Sequence, residues 1–174
     1  MPGSLNGGIS LLDPHRRWMR LALREAEFAA EVGEVPVGAL VVRAGQIVGR
    51  GHNHVERLGD PTAHAEMIAI TAACETLGTK FLTDCTLYVT LEPCPMCAGA
   101  IVWSRLKRVV FGAMDEKAGA GGSLFNILQD ERLNHRTEVI AGVEAEASAD
   151  LLRRIFRARR PEYVHPGDVD GLKC

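Results

Sequence analysis

Apolar and polar positions repeat along this chain with two different periods, and the changes between them mark out its elements. From Asp13-Pro14 onward, Trp18, Leu21, Ala22, Phe28, Ala29 and Val32 recur at helical spacing, and Gly33 follows where a helix would stop. Asp13 reads as the N-cap and Pro14 as the first helical residue. Pro36 to Val42 is an apolar run rich in β-branched residues; Ala44-Gly45 supplies a turn and Ile47 to Arg50 a return, which predicts an antiparallel hairpin. A polar loop from Gly51 to Pro61 leads into a helix with Thr62 as its expected N-cap, Met67, Ile68, Ala69 and Ala72 on its buried side, and Gly78 at its end.

Further along, Thr86 to Leu91 reads as a buried strand, Ala98 to Trp103 as a helix and Arg108 to Phe111 as a strand, a sequence that implies a parallel crossover. A glycine-rich stretch, Gly112 to Gly122, precedes a short helix expected near Leu124 to Leu128, then a strand over Thr137 to Val143 and a helix over Ala147 to Arg160. The predicted class is α/β: a three-layer α-β-α sandwich with a five-stranded mixed sheet. One domain is expected over residues 14–160, with a flexible arm over 1–13 and a loose tail over 161–174. No repeat, low-complexity block or linker interrupts it.

Composition narrows the class without changing it. At 174 residues, 47% hydrophobic and 24% charged, the chain reads as one soluble globular domain that buries roughly 70% of its unfolded surface. A formal net charge of -2 argues against a generally basic coat, so any RNA contact must come from a local patch. No apolar run is long enough to span a bilayer and no hydrophobic signal core follows the start, so no membrane association is expected. The five cysteines include a Cys-x-x-Cys pair and leave Cys74, Cys85 and Cys174 scattered, which suits a reducing cytoplasm better than a disulfide framework.

The candidate chemistry sits in two short stretches, Thr62-Ala63-His64-Ala65-Glu66 and Glu92-Pro93-Cys94-Pro95-Met96-Cys97. One imidazole and two thiolates make three ligands for a tetrahedral Zn²⁺, and three protein ligands leave a position for water, the arrangement of a catalytic zinc. Cys94 and Cys97 can point at one ion from a turn entering a helix, whose unpaired N–H groups favour the thiolates. His64 and Glu66 cannot share a helix face but can flank one cavity, the imidazole on the metal and the carboxylate on the bound water. The bland alternatives are a structural zinc or redox pair for the cysteines, a satisfied core histidine for His64, and a first-turn carboxylate on the helix dipole for Glu66. His52, His54, Cys74 and Cys85 are the candidates that could close the metal shell and remove the catalytic position.

His-x-Glu followed by Pro-Cys-x-x-Cys resembles the zinc nucleobase deaminases. Over residues 14–160 the chain is similar to the bacterial tRNA-specific adenosine deaminases, through Gly49-Arg50-Gly51-His52-Asn53, Asp60 to Glu66, Leu87 to Cys94, Met96 to Ala100, Val109 to Ala113, Gly119 to Leu124 and Leu133 to Arg136. The metal signature alone is shared with cytidine, deoxycytidylate and guanine deaminases; the later stretches point to the tRNA enzymes.

The resemblance implies a cytidine-deaminase-like sandwich, one zinc per subunit, and a homodimer with active sites near the subunit interface. It also implies hydrolytic conversion of the wobble adenosine in a tRNA anticodon stem-loop to inosine, a form of RNA editing that releases ammonia. By the same resemblance Asn53 holds the base edge and Ala65 assists through its backbone. Glu66 is expected to carry a proton from the activated water to N1 and then to the departing amine. An unpaired loop base can enter such a site without duplex melting.

Phosphate contacts are expected from Lys117, Arg132 and Arg136 and from the last helix through Arg153, Arg154, Arg157, Arg159 and Arg160. The competing reading of that helix is a solvated face with Leu151, Leu152, Ile155 and Phe156 inside. Two other functions stay open at this point: deamination of a free base or nucleotide such as guanine, cytidine or deoxycytidylate, and a non-enzymatic zinc-stabilised RNA-binding protein.

Overall fold

The computed structural model describes residues 13–158; expectations about residues 1–12 and 159–174, including Arg159, Arg160, Cys174 and the free arm and tail, lie outside it, as does the side chain of Asp13. In chain order the elements are α1 (Asp13–Glu31), β1 (Gly38–Arg43), β2 (Gln46–His52), α2 (Val55–Leu58), α3 (Ala65–Leu77), β3 (Thr86–Leu91), α4 (Pro95–Trp103), β4 (Arg108–Ala113), β5 (Glu138–Ala141) and α5 (Ala145–Ala158). The strands form one five-stranded sheet in the order β2-β1-β3-β4-β5. β1 is antiparallel to β2 and β3, while β3, β4 and β5 are parallel, so the sheet is mixed as expected.

Successive residues of the central strands enter opposite layers, as the pleat requires. Ala39, Val41, Leu87, Val89, Val109 and Phe111 pack with Ala65, Ala69, Ile70, Ala73, Ala98 and Ile101 of α3 and α4. Leu40, Val42, Tyr88 and Val110 face the other way onto Met19 and Ala22 of α1, and α5 lies against β4 on the same side. These two cores make the three layers. Strands buried on both faces explain why β1, β3 and β4 read as continuous apolar runs.

Several local expectations are corrected by the packing. Phe28 and Val32 are 47% and 49% exposed, while Ala22 and Ala29 of the expected face are buried together with Met19 and Ala26. The reason is close approach, since a Cβ on Gly38 of β1 would lie 2.1 Å from the Ala22 carbonyl oxygen. The same holds for α3, whose buried face is Ala65, Glu66, Ala69, Ile70 and Ala73, with Met67, Ile68 and Ala72 only half-buried. Small residues go inward because the helix lies on the glycine positions of β2.

Thr62 does not cap α3. Its N–H and hydroxyl both donate to Asp60 Oδ1, at 2.8 and 2.7 Å, forming a local turn, and His64 takes the N-cap position. The polar loop before it contains the short α2. Residues 124–128 form no helix: the N–H groups of Leu124 and Phe125 both donate to the Gly119 carbonyl and Gly121 pairs with Asn126, which commits that backbone to a tight turn.

Candidate active site

The carboxyl ends of β2 and β3 lie on the same edge of the sheet, because each strand runs antiparallel to β1, which separates them. The chain leaving β2 enters α3 with His64 as N-cap; the chain leaving β3 enters α4 with Cys94 as N-cap and Pro95 at the first helical position. Both caps have extended backbone, and their side chains turn toward each other across the gap between the two helix starts. Cys97, one turn into α4, is buried beneath them.

His64 Nδ1 lies 3.6 Å from Cys94 Sγ and 3.6 Å from Cys97 Sγ, and the three donor atoms fall within 4.8 Å of one another. A tetrahedral zinc with ordinary Zn–S and Zn–N bonds holds such atoms about 3.5 Å apart, so the donor set fits the ion in type and spacing. Among the described residues no fourth His, Cys, Asp or Glu joins the group. His52 stands edge-on to Phe28 at 5.0 Å with its Nδ1 3.7 Å from Glu25, and lies tilted against the His54 ring with centroids 4.2 Å apart. Cys85 pairs with Asp84, and burial raises the thiols of both Cys85 and Cys74.

The three groups titrate as one unit. A hydrogen bond from the Cys97 thiol, aided by His64, brings Cys94 down to about 4 against the cost of its burial, while Cys97 is pushed up as the partner that keeps its proton. The hydrogen bond to Cys94 likewise raises His64. A metal ion here would need His64 neutral and both thiols deprotonated, so its binding would release protons from this group.

Glu66 is 4% exposed and is pushed up to about 7, first by burial and then by the negative charge at Cys94. It opens with Asn53, His64, Ala65, Cys94 and Val37 onto a cavity of about 310 Å³. The arrangement sets a buried acid of intermediate proton affinity beside a metal-binding triad, the requirement for moving protons at a polarised water.

Residues 13–160 match the MafB19-like deaminase family. A tRNA-specific adenosine deaminase of Bacillus subtilis is 52% identical over 143 residues, covering 82% of this chain and 89% of that protein. The chain belongs to the tRNA-specific adenosine deaminase family. Among solved structures, one from biochemical and structural studies of A-to-I editing by tRNA:A34 deaminases at the wobble position of transfer RNA superposes with a TM-score of 0.76 at 43% identity, over 78% of this chain and 99% of that one. A guanine deaminase of Nitrosomonas europaea shares the fold at TM-score 0.71 and 25% identity, over 80% of this chain and 83% of that one.

In this member of the deaminase family the cavity brings together His64, Ala65, Glu66, Asn53 and Cys94 from the sequence expectations. The basic residues are not brought together. Lys117 borders a groove with Met114, Leu152 and Phe156 that adjoins the cavity through Val35, Leu91 and Asp115. Arg132 forks onto Asp130, Arg136 pairs with Glu131, and Arg153 bridges Glu146 and Asp150. Arg154 lies in a separate groove with Glu27 and Asp150, and Arg157 is exposed.

Two buried carboxylates escaped the sequence reading. Glu92 accepts N–H bonds from Asp115, Gly121 and Ser123 at 2.9 Å each and a bond from the Ser123 hydroxyl, tying the 115–123 loop to the cysteine turn. Glu34 accepts from Asn53, Glu56 and Arg57. Their signal was a lone charge at the boundary of an apolar strand.

Proposed function

We propose that this chain is a hydrolase that converts the wobble adenosine of a tRNA anticodon loop to inosine and releases ammonia. The observation that carries it is 52% identity to a tRNA-specific adenosine deaminase over most of both chains. The cavity beside the His64, Cys94 and Cys97 cluster supports the chemistry.

His64, Cys94 and Cys97 hold one zinc per subunit. Bound there, zinc makes water acidic enough to act as a nucleophile near neutral pH. Glu66 accepts the proton given up as water oxygen bonds to C6, passes it to N1, and assists protonation of the exocyclic amine as the C6–N6 bond breaks. Its burial keeps its proton affinity intermediate between the two tasks. Asn53 holds the purine edge, and Ala65 contributes its backbone.

Lys117 supports a phosphate role by its place beside the cavity. Arg132, Arg136, Arg153, Arg154 and Arg157 serve as longer-range contacts, and such binding weakens steeply with salt. The enzyme works as a homodimer in the cytoplasm. An apolar face with Trp103 77% exposed beside Phe81 supports the dimer, and among the described residues no helix is long and apolar enough to cross a membrane.

The test is an inosine assay on matched tRNA anticodon stem-loops and on free adenosine, guanine and cytidine. Inosine at the wobble position with inert free substrates is expected. Turnover of free guanine or cytidine with unmodified tRNA would overturn the assignment.

A further inference from the structure

Glu34 follows Gly33, whose φ of +85° ends the α1 segment, and precedes Val35 and Val37 of the cavity wall. It is 1% exposed. Three N–H groups converge on its carboxylate: Arg57 N donates to Oε1 at 2.8 Å, while Glu56 N and Asn53 Nδ2 donate to Oε2 at 3.1 and 3.2 Å.

An ionised carboxylate can only accept, so Asn53 must turn its NH₂ group toward Glu34 and its carbonyl oxygen away. Flipping the amide would set two acceptors against each other in a buried place and forfeit a charge-assisted hydrogen bond. The Asn53 backbone is held from the same segment, its N–H donating to the Val37 carbonyl at 3.2 Å. Main chain and side chain of Asn53 are therefore both registered to residues 34–37.

We infer that Glu34 is a positioning residue that locks the Asn53 amide in one orientation, leaving a carbonyl acceptor and a single N–H for the purine edge. A side-by-side acceptor and donor complement the amine and N7 of adenine, whereas guanine offers two acceptors there. The inference rests on the reading that Asn53 holds the base.

The test is a double-mutant cycle on the zinc-loaded full chain with a tRNA anticodon stem-loop as substrate, comparing wild type, E34Q, N53A and E34Q/N53A, with Tm and zinc content followed in parallel. E34Q is expected to lower kcat/KM by about tenfold or more, and to change it less than about twofold when Asn53 is already alanine, the coupling of two residues acting as one unit. Equal losses in both backgrounds would mean that Glu34 merely holds the α2 backbone, and would overturn the proposal, as would an unaffected E34Q. Wild-type turnover by N53A would overturn the reading of Asn53, and this inference with it.

A second measurement needs neither activity nor a folded variant. In the wild-type protein, NMR of the Asn53 side-chain amide should show one N–H shifted downfield and slow to exchange. Two N–H signals at ordinary positions with rapid exchange would overturn the inference even if tRNA is deaminated; an enzyme inactive on tRNA with the protected N–H present would leave the positioning intact and defeat the substrate assignment instead.

Discussion

His64 Nδ1 and Cys94 Sγ stand 3.6 Å apart across 30 residues of chain, each at the N-cap of its own helix. N-cap side chains normally turn back to satisfy helix N–H groups. Here they also face one another, with the Cys94 sulfur held by Cys97 of its own helix, and the N–H groups at both helix starts favour negative charge at the site between them.

Metal binding should follow from that pairing. The purified chain should carry about one zinc, and C94S or C97S should lower occupancy sharply, because two remaining ligands cannot enclose the ion. Elemental analysis checks the content. Chelation should abolish inosine formation and added zinc should restore it; full activity in metal-free protein would contradict the site.

Gly51 controls where α3, and with it His64, can sit. A Cβ on Gly51 would lie 2.3 Å from the Ala65 carbonyl oxygen and 2.7 Å from Ala69 N, whereas one on Gly99 would meet nothing within 4 Å. G51A should therefore destabilise by about 1–3 kcal/mol through overpacking and weaken zinc binding. G99A, inside α4, should be neutral or stabilising by up to about 1 kcal/mol. Thermal unfolding of the two variants separates the effects.

Stability should fall in acid partly through Glu34. Burial alone would raise its carboxyl, but the N–H bonds from Arg57 and Glu56, the nearby His54 and the Asn53 amide outweigh it and hold the group below its ordinary value. A carboxyl depressed on folding stabilises the native state above its unfolded pKa, and that contribution disappears as pH falls through the folded value. Urea unfolding between about pH 7 and pH 3 should show a steeper loss for wild type than for E34Q; parallel curves would contradict the depressed carboxyl.

Much of this was legible from residue pattern, and the failures share one cause. Thr86–Leu91 is legible to its ends because a strand buried on both faces shows as an unbroken apolar run. His64, Glu66, Cys94 and Cys97 were legible because metal chemistry demands those types at short spacing. Phe28, Val32, Met67 and Ile68 were misplaced because hydrophobic periodicity ranks residues by size, while α1 and α3 press alanines against the glycines of β1 and β2. Glu34 and Glu92 are hard to find in a side-chain pattern because most of their partners are backbone N–H groups, and their side-chain partners, Asn53 and Ser123, lie 19 and 31 residues away. The absent helix at 124–128 has the same origin, since Glu92 claims N–H groups of the preceding turn.

The most direct test replaces Glu66 by Gln and measures zinc content and wobble inosine in the same preparation. E66Q should retain its zinc, because Glu66 lies outside the ligand group, and should lose about 10²-fold to 10⁴-fold or more in turnover, the usual range for a positioned proton carrier. Turnover near the wild-type rate, or loss of zinc along with activity, would contradict the account.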